Sequence, residues 1–119
     1  MSLLLAGLAG LSAVVLAAAG SHLVDALDDP DAYRSWQSAL LIHVFHAVVL
    51  LALSALNRLL ESHLLWWAVV VMALGLVFFS GSIYVSHLSG IQGATSVAPA
   101  GGLLLMLAWV LIIWQALKG

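Results

Sequence analysis

Two histidines three residues apart, His43 and His46, stand in a run from Trp36 to Asn57 that holds no other ionisable side chain. Residues three and four apart share one face of a helix, so both imidazoles fall on or beside the stripe Trp36, Ala39, His43, Ala47, Leu50, Ser54 and Asn57. The same spacing puts Ser80, Tyr84 and His87 on one face further along, with Ala73 and Leu76 continuing it, and His22 closes the first apolar stretch. A neutral imidazole is the form that ligates a metal or haem iron, and imidazole, phenol and hydroxyl groups also bond to one another. His22, His43, His46, Ser80, Tyr84 and His87 are therefore candidates for either a ligand site or a closed polar network. His43, His46 and His87 are the metal-ligating candidates, and haem, quinone or a metal ion are the cofactors such a cluster could take.

Other chemistries find less support. No Glu-x-x-His or His-Glu-x-x-His pattern favours a catalytic metal. Ser80 and Ser82 have no carboxylate-oriented base beside them in sequence, which argues against a serine hydrolase. Cysteine is absent, so thiolate and disulfide chemistry are excluded. Asp25, Asp28, Asp29 and Asp31 lack the glycine turn and terminal Glu of a calcium loop and read as a solvated connection.

The elements that must position these residues follow from composition. With 65% hydrophobic and 7% charged residues among 119, and a mean hydropathy of +1.20, the chain has too little polar surface for a soluble globule. A bilayer core about 30 Å thick takes roughly 20 apolar residues per helical crossing. The sequence predicts an all-α integral membrane protein, a four-transmembrane-helix up-down bundle forming one domain over residues 1–119. Its helices are expected over residues 3–24, 35–57, 64–87 and 98–117. Ala17-Ala18-Ala19 resembles a signal cleavage site, but no Lys or Arg precedes the first apolar run, so that run is read as a retained helix. Pro30 and the acids around it are expected to form a loop ending near Tyr33, and Arg58 to His63 a tight polar turn.

Antiparallel neighbours allow depth to be estimated. His43 is expected about 10 Å below the start of its helix and Ser80 about 12 Å from the end of its own. His46 would then lie near the bilayer middle, with Tyr84, His87 and His22 closer to the non-cytoplasmic surface. Arg58 and Lys118 share one side against Arg34 on the other, which predicts cytoplasmic termini. Trp36, Trp66, Trp67 and Trp114 read as interfacial anchors. Ala6, Gly10, Ala13, Ala17 and Gly20, with Gly101 and Gly102, offer small-residue faces for close helix packing.

Four segments resemble the membrane family known as domain of unknown function 423, a group of transmembrane protein 256-like small membrane proteins. The family's Gly-Ala-x-Gly-Ala-His is matched by Ala17-Ala18-Ala19-Gly20-Ser21-His22 at Gly20 and His22. Its Trp-x-x-Ala-x-x-Tyr-Gln-x-x-His-Ala appears as Trp36, Ala39, Ile42-His43 and His46-Ala47, with Ile-His in place of Tyr-Gln. Its Phe-Ser-Gly-Ser-Leu-Tyr appears as Phe79-Ser80-Gly81-Ser82-Ile83-Tyr84. Pro99-Ala100-Gly101-Gly102 and Trp109 resemble its Pro-Ile-Gly-Gly and Gly-Trp elements. The resemblance implies a four-helix protein of the bacterial plasma membrane, or of mitochondria in eukaryotes, with no established activity.

The function expected is that of a non-enzymatic helper or accessory subunit with a histidine cluster inside the bundle. The alternative is a small four-helix transporter or channel. Every acidic residue lies in a loop or at a helix end, which weakens proton-coupled export. The expected partners are the lipid bilayer and other membrane proteins or a second copy of the chain. A formal charge of -2 without a basic cluster gives no purchase on nucleic acid.

Overall fold

The computed structural model describes residues 2–23, 29–90 and 92–118, apart from the side chains of His22, Leu23 and Gln92. The His22 imidazole, Asp25 and Asp28 thus lie outside the described residues. Among the described residues five α-helices appear in chain order: α1 Ser2–Leu23, α2 Pro30–Leu60, α3 His63–Leu76, α4 Ser82–Ser89 and α5 Ala98–Lys118. A π-helical turn, Val77–Gly81, joins α3 to α4, and a 3-10 turn, Gln92–Val97, leads into α5. α1, α2, the α3–π–α4 unit and α5 are each long and apolar enough to cross a membrane, which makes this a four-transmembrane-helix bundle.

Pro30 begins α2 instead of ending a loop. The Asp29 side chain accepts the Ala32 N–H at 3.1 Å, and a proline in the first helical turn has no N–H to lose. The early start changes the depth expected for the histidines. His43 lies roughly 20 Å along α2 from Pro30 and roughly 25 Å from Leu60, near the middle of the helix. The second turn is only Glu61-Ser62. Glu61 takes a left-handed conformation at φ 49° and donates its N–H to the Asn57 carbonyl, while Ser62 N–H bonds Asn57 Oδ1 at 3.0 Å. Ser62 Oγ then accepts the Leu65 N–H and bonds the Gln115 side chain, tying the turn to α5. Asn57 therefore holds the turn from within the last part of α2.

α1 packs along α2, the third span lies against both α2 and α5, and α1 meets the third span only over a short stretch. Two glycines permit the closest approaches. A Cβ at Gly101 would lie 2.3 Å from Phe79 N and 2.8 Å from the Gly75 carbonyl oxygen, so α5 crosses the third span backbone against backbone. At Gly20 a Cβ would lie 2.1 Å from Trp36 Nε1. Trp36 is fully buried there, packed on Tyr84 with ring centroids 4.9 Å apart, and is not the interfacial anchor its place near a helix end suggested. Small residues on α1 and a tyrosine on the third span make room for the indole inside. Trp66, Trp67 and Trp114 are exposed on the lipid side.

Candidate functional site

The loose fit between α1 and the third span leaves a cavity of about 460 Å³, with α2 forming its back wall. Leu8 and Val77 on its lining are more than half exposed, so it opens sideways toward lipid. Among the described residues its lining is apolar except for four side chains, Ser12, His43, Ser80 and Tyr84. The π-turn contributes to this wall: it carries Ser80 and Gly81, and insertions of this kind in helices often accompany functional sites.

His43 bridges three helices. Its Nδ1 lies 3.0 Å from the Tyr84 hydroxyl and its Nε2 3.2 Å from Ser12 Oγ. Ser12 Oγ also lies 3.0 Å from the Ala9 carbonyl, which can only accept. The proton count assigns the direction. Ser12 gives its one hydrogen to Ala9, so His43 Nε2–H donates to Ser12 Oγ, and Tyr84 O–H donates to the bare His43 Nδ1. In the reverse order the Tyr84 proton would have no acceptor among the bonds present. Ser80 Oγ donates to the Ala39 carbonyl at 2.9 Å, a second polar link between the third span and α2. Buried polar groups in lipid need such partners, since each unsatisfied one costs several kcal/mol, on the order of water-to-alkane transfer values.

His46 turns away from the cavity, toward α5. Its Nδ1 donates to the Ile42 carbonyl at 2.8 Å, so its Nε2 carries the lone pair, and Trp109 Nε1–H donates to it at 3.2 Å. The two histidines of α2 therefore hold opposite tautomers. His87 lies beside Trp36 with ring centroids 6.1 Å apart, and Trp36 Nε1 and His87 Nε2 are buried without a hydrogen-bond partner among the described residues. The three metal-ligating candidates thus stand in three different surroundings, and among the described residues no group of three His, Asp or Glu side chains converges.

Two contributors escape a reading of the sequence by helical stripe. Ser12 is the one polar residue between Leu3 and Gly20, and a lone hydroxyl inside an apolar span is a usable signal. Trp109 stands in mid-helix, where an indole N–H needs an acceptor that lipid cannot supply.

Residues 16–102 match the family model described as "Protein of unknown function (DUF423)". The chain is 30% identical over 116 residues to the UPF0382 inner membrane protein YgdD of Escherichia coli K12, covering 98% of this chain and 88% of that one. It is 30% identical over 118 residues to the UPF0382 membrane protein YwdK of Bacillus subtilis 168, covering 98% and 95%. No solved structure matches.

Proposed function

Because the chain belongs to the DUF423 family, whose curated relatives are named as membrane proteins, we propose that it is a non-enzymatic accessory protein of the plasma membrane that holds a lipid-soluble molecule in the cleft between α1 and the third span. The observation that carries this reading is a bilayer-facing cavity whose apolar wall is broken by one cluster of bonded polar groups near the middle of α2. Mostly apolar lining with a few placed polar groups is the usual composition of a small-molecule site.

An organic molecule of quinone type suits the cleft better than haem or a metal. Both nitrogens of His43 are bonded to hydroxyls and both nitrogens of His46 to Ile42 and Trp109, so the lone pair of each ring is already engaged and not free for coordination. Ser12, His43 and Tyr84 have the spacing of a nucleophile, a base and an orienting group. The order of protons opposes hydrolysis, because Ser12 gives its hydrogen to Ala9 and the third member is a neutral phenol where a hydrolase has a carboxylate.

Gly81 supplies the test. Gly81 lines the cavity and a Cβ there would meet nothing within 4 Å, so leucine at 81 adds bulk at the cavity wall. Native mass spectrometry of the protein purified from its own membrane and delipidated should show one retained small molecule per chain, and Gly81→Leu should lose it. Equal retention by both proteins would contradict the proposal.

Both termini and the Glu61-Ser62 turn are proposed to face the cytoplasm, on the strength of Arg58 and Lys118. The chain has no cysteine, so single Asp31→Cys and His63→Cys variants report without background. A membrane-impermeant maleimide added to intact cells should label the Asp31→Cys protein and leave the His63→Cys protein unlabelled. Labelling of the His63→Cys protein from outside would overturn the orientation.

A further inference from the structure

Every polar hydrogen on the four polar side chains of the cleft is engaged within the protein. Tyr84 O–H goes to His43, His43 Nε2–H to Ser12, Ser12 O–H to Ala9 and Ser80 O–H to Ala39. The lone pairs are not exhausted. The oxygens of Tyr84 and Ser12 keep acceptor capacity beyond the bonds they make along the chain, and Ser80 Oγ accepts no bond from a side chain among the described residues. The side chains lining the cavity thus present acceptors and no free donor.

The charge of the lining narrows the ligand further. No Asp, Glu, Lys or Arg among the described residues borders the cavity. A charged headgroup there would be desolvated without a counter-ion, which costs far more than any hydrogen bond to a hydroxyl returns. The geometry points to a neutral, lipid-soluble alcohol or phenol as the ligand class, with its O–H donated to the oxygen of Tyr84 or Ser12 and its apolar body lying along the leucines of α1. A ketone, quinone carbonyl or ether of the same shape would meet lone pairs with lone pairs. This rests on the cleft being a binding site and adds the direction of its hydrogen bond. A quinone-type molecule would accordingly be held in its reduced, hydroxyl-bearing form.

The test uses matched probes that differ only in the head: 4-decylphenol, its methyl ether 4-decylanisole, and 4-decylbenzaldehyde, each tritiated. Saturation binding is measured to the protein in lipid nanodiscs by scintillation proximity, with protein-free discs subtracted. The phenol should bind at least about tenfold more tightly than the ether or the aldehyde, as expected when a buried acceptor is satisfied by one probe and left facing another acceptor by the others. Gly81→Leu should remove the saturable component for the phenol, whereas a preference arising from the bilayer surface would survive it. Equal affinity of the three probes, or a preference for the aldehyde, would overturn the donor assignment and leave the cleft standing. Absence of saturable binding for all three would overturn both. A phenol preference that persists in Gly81→Leu would place the binding elsewhere and refute the inference.

Discussion

Replacing Gly101 by leucine is expected to prevent the bundle from forming. The first carbon of any side chain at 101 would lie 2.3 Å from Phe79 N and 2.7 Å from the Phe78 carbonyl carbon, both backbone atoms that no rotamer change can move. Alanine already forces α5 away from the third span, and overpacking of this kind costs about 1–3 kcal/mol where the backbone can shift. Leucine adds three more carbons at the same point. The separation it demands would break the packing of Leu105 and Ala108 against Leu65, Val69 and Met72, the largest apolar cluster. Gly102 is the control, because a Cβ there comes no nearer than 3.9 Å to Phe79 Cδ2. Size-exclusion profiles and unfolding by denaturing detergent should show Gly102→Ala near wild type, Gly101→Ala clearly weakened and Gly101→Leu aggregated. A monodisperse, equally resistant Gly101→Leu protein would contradict the packing described.

The helices are legible in the sequence because lipid imposes length and composition on any crossing segment, and four apolar runs of suitable length are plain in the chain. The stripe from Trp36 to Asn57 is legible for the same reason: its six residues from Trp36 to Ser54 are buried and Asn57 is half-buried. Pro30 misleads because a proline among acids fits both a loop and a capped helix start, and only the Asp29 bond to Ala32 separates the two. The π-turn leaves no mark of its own, since Val77 to Gly81 satisfies ordinary helical periodicity, and it lies where α5 approaches at Gly101. Residue types alone also cannot separate His43 from His46. They differ in which neighbouring helix each ring reaches, the third span for one and α5 for the other, and that depends on rotamer and helix rotation.

His43→Leu is expected to destabilise the protein by about 1–3 kcal/mol, the cost of leaving a buried hydroxyl without its partner. The leucine fills similar volume, but it leaves the Tyr84 O–H with no acceptor and removes the polar bridge between α1 and the third span. His43→Gln should recover most of the loss. Its amide oxygen can accept from Tyr84 while its N–H donates to Ser12, and the family pattern this chain resembles carries glutamine at that place. Tyr84→Phe in the His43→Leu background should cost little more, because the hydroxyl whose isolation is costly is then gone. Detergent-unfolding midpoints of wild type, the two single variants and the double variant form a double-mutant cycle. Additive losses from His43→Leu and Tyr84→Phe would mean that the two side chains do not interact.

His43 and His46, three residues apart on α2, are fixed in opposite neutral tautomers by what each ring faces. Nitrogen NMR of the protein labelled with 15N-histidine in nanodiscs, with each resonance assigned by single His→Gln variants, reads this directly. The expected result is a hydrogen on Nε2 and a bare Nδ1 for His43, and a hydrogen on Nδ1 with a bare Nε2 for His46. The same tautomer on both rings, or a His43 ring averaging between its two forms, would contradict it.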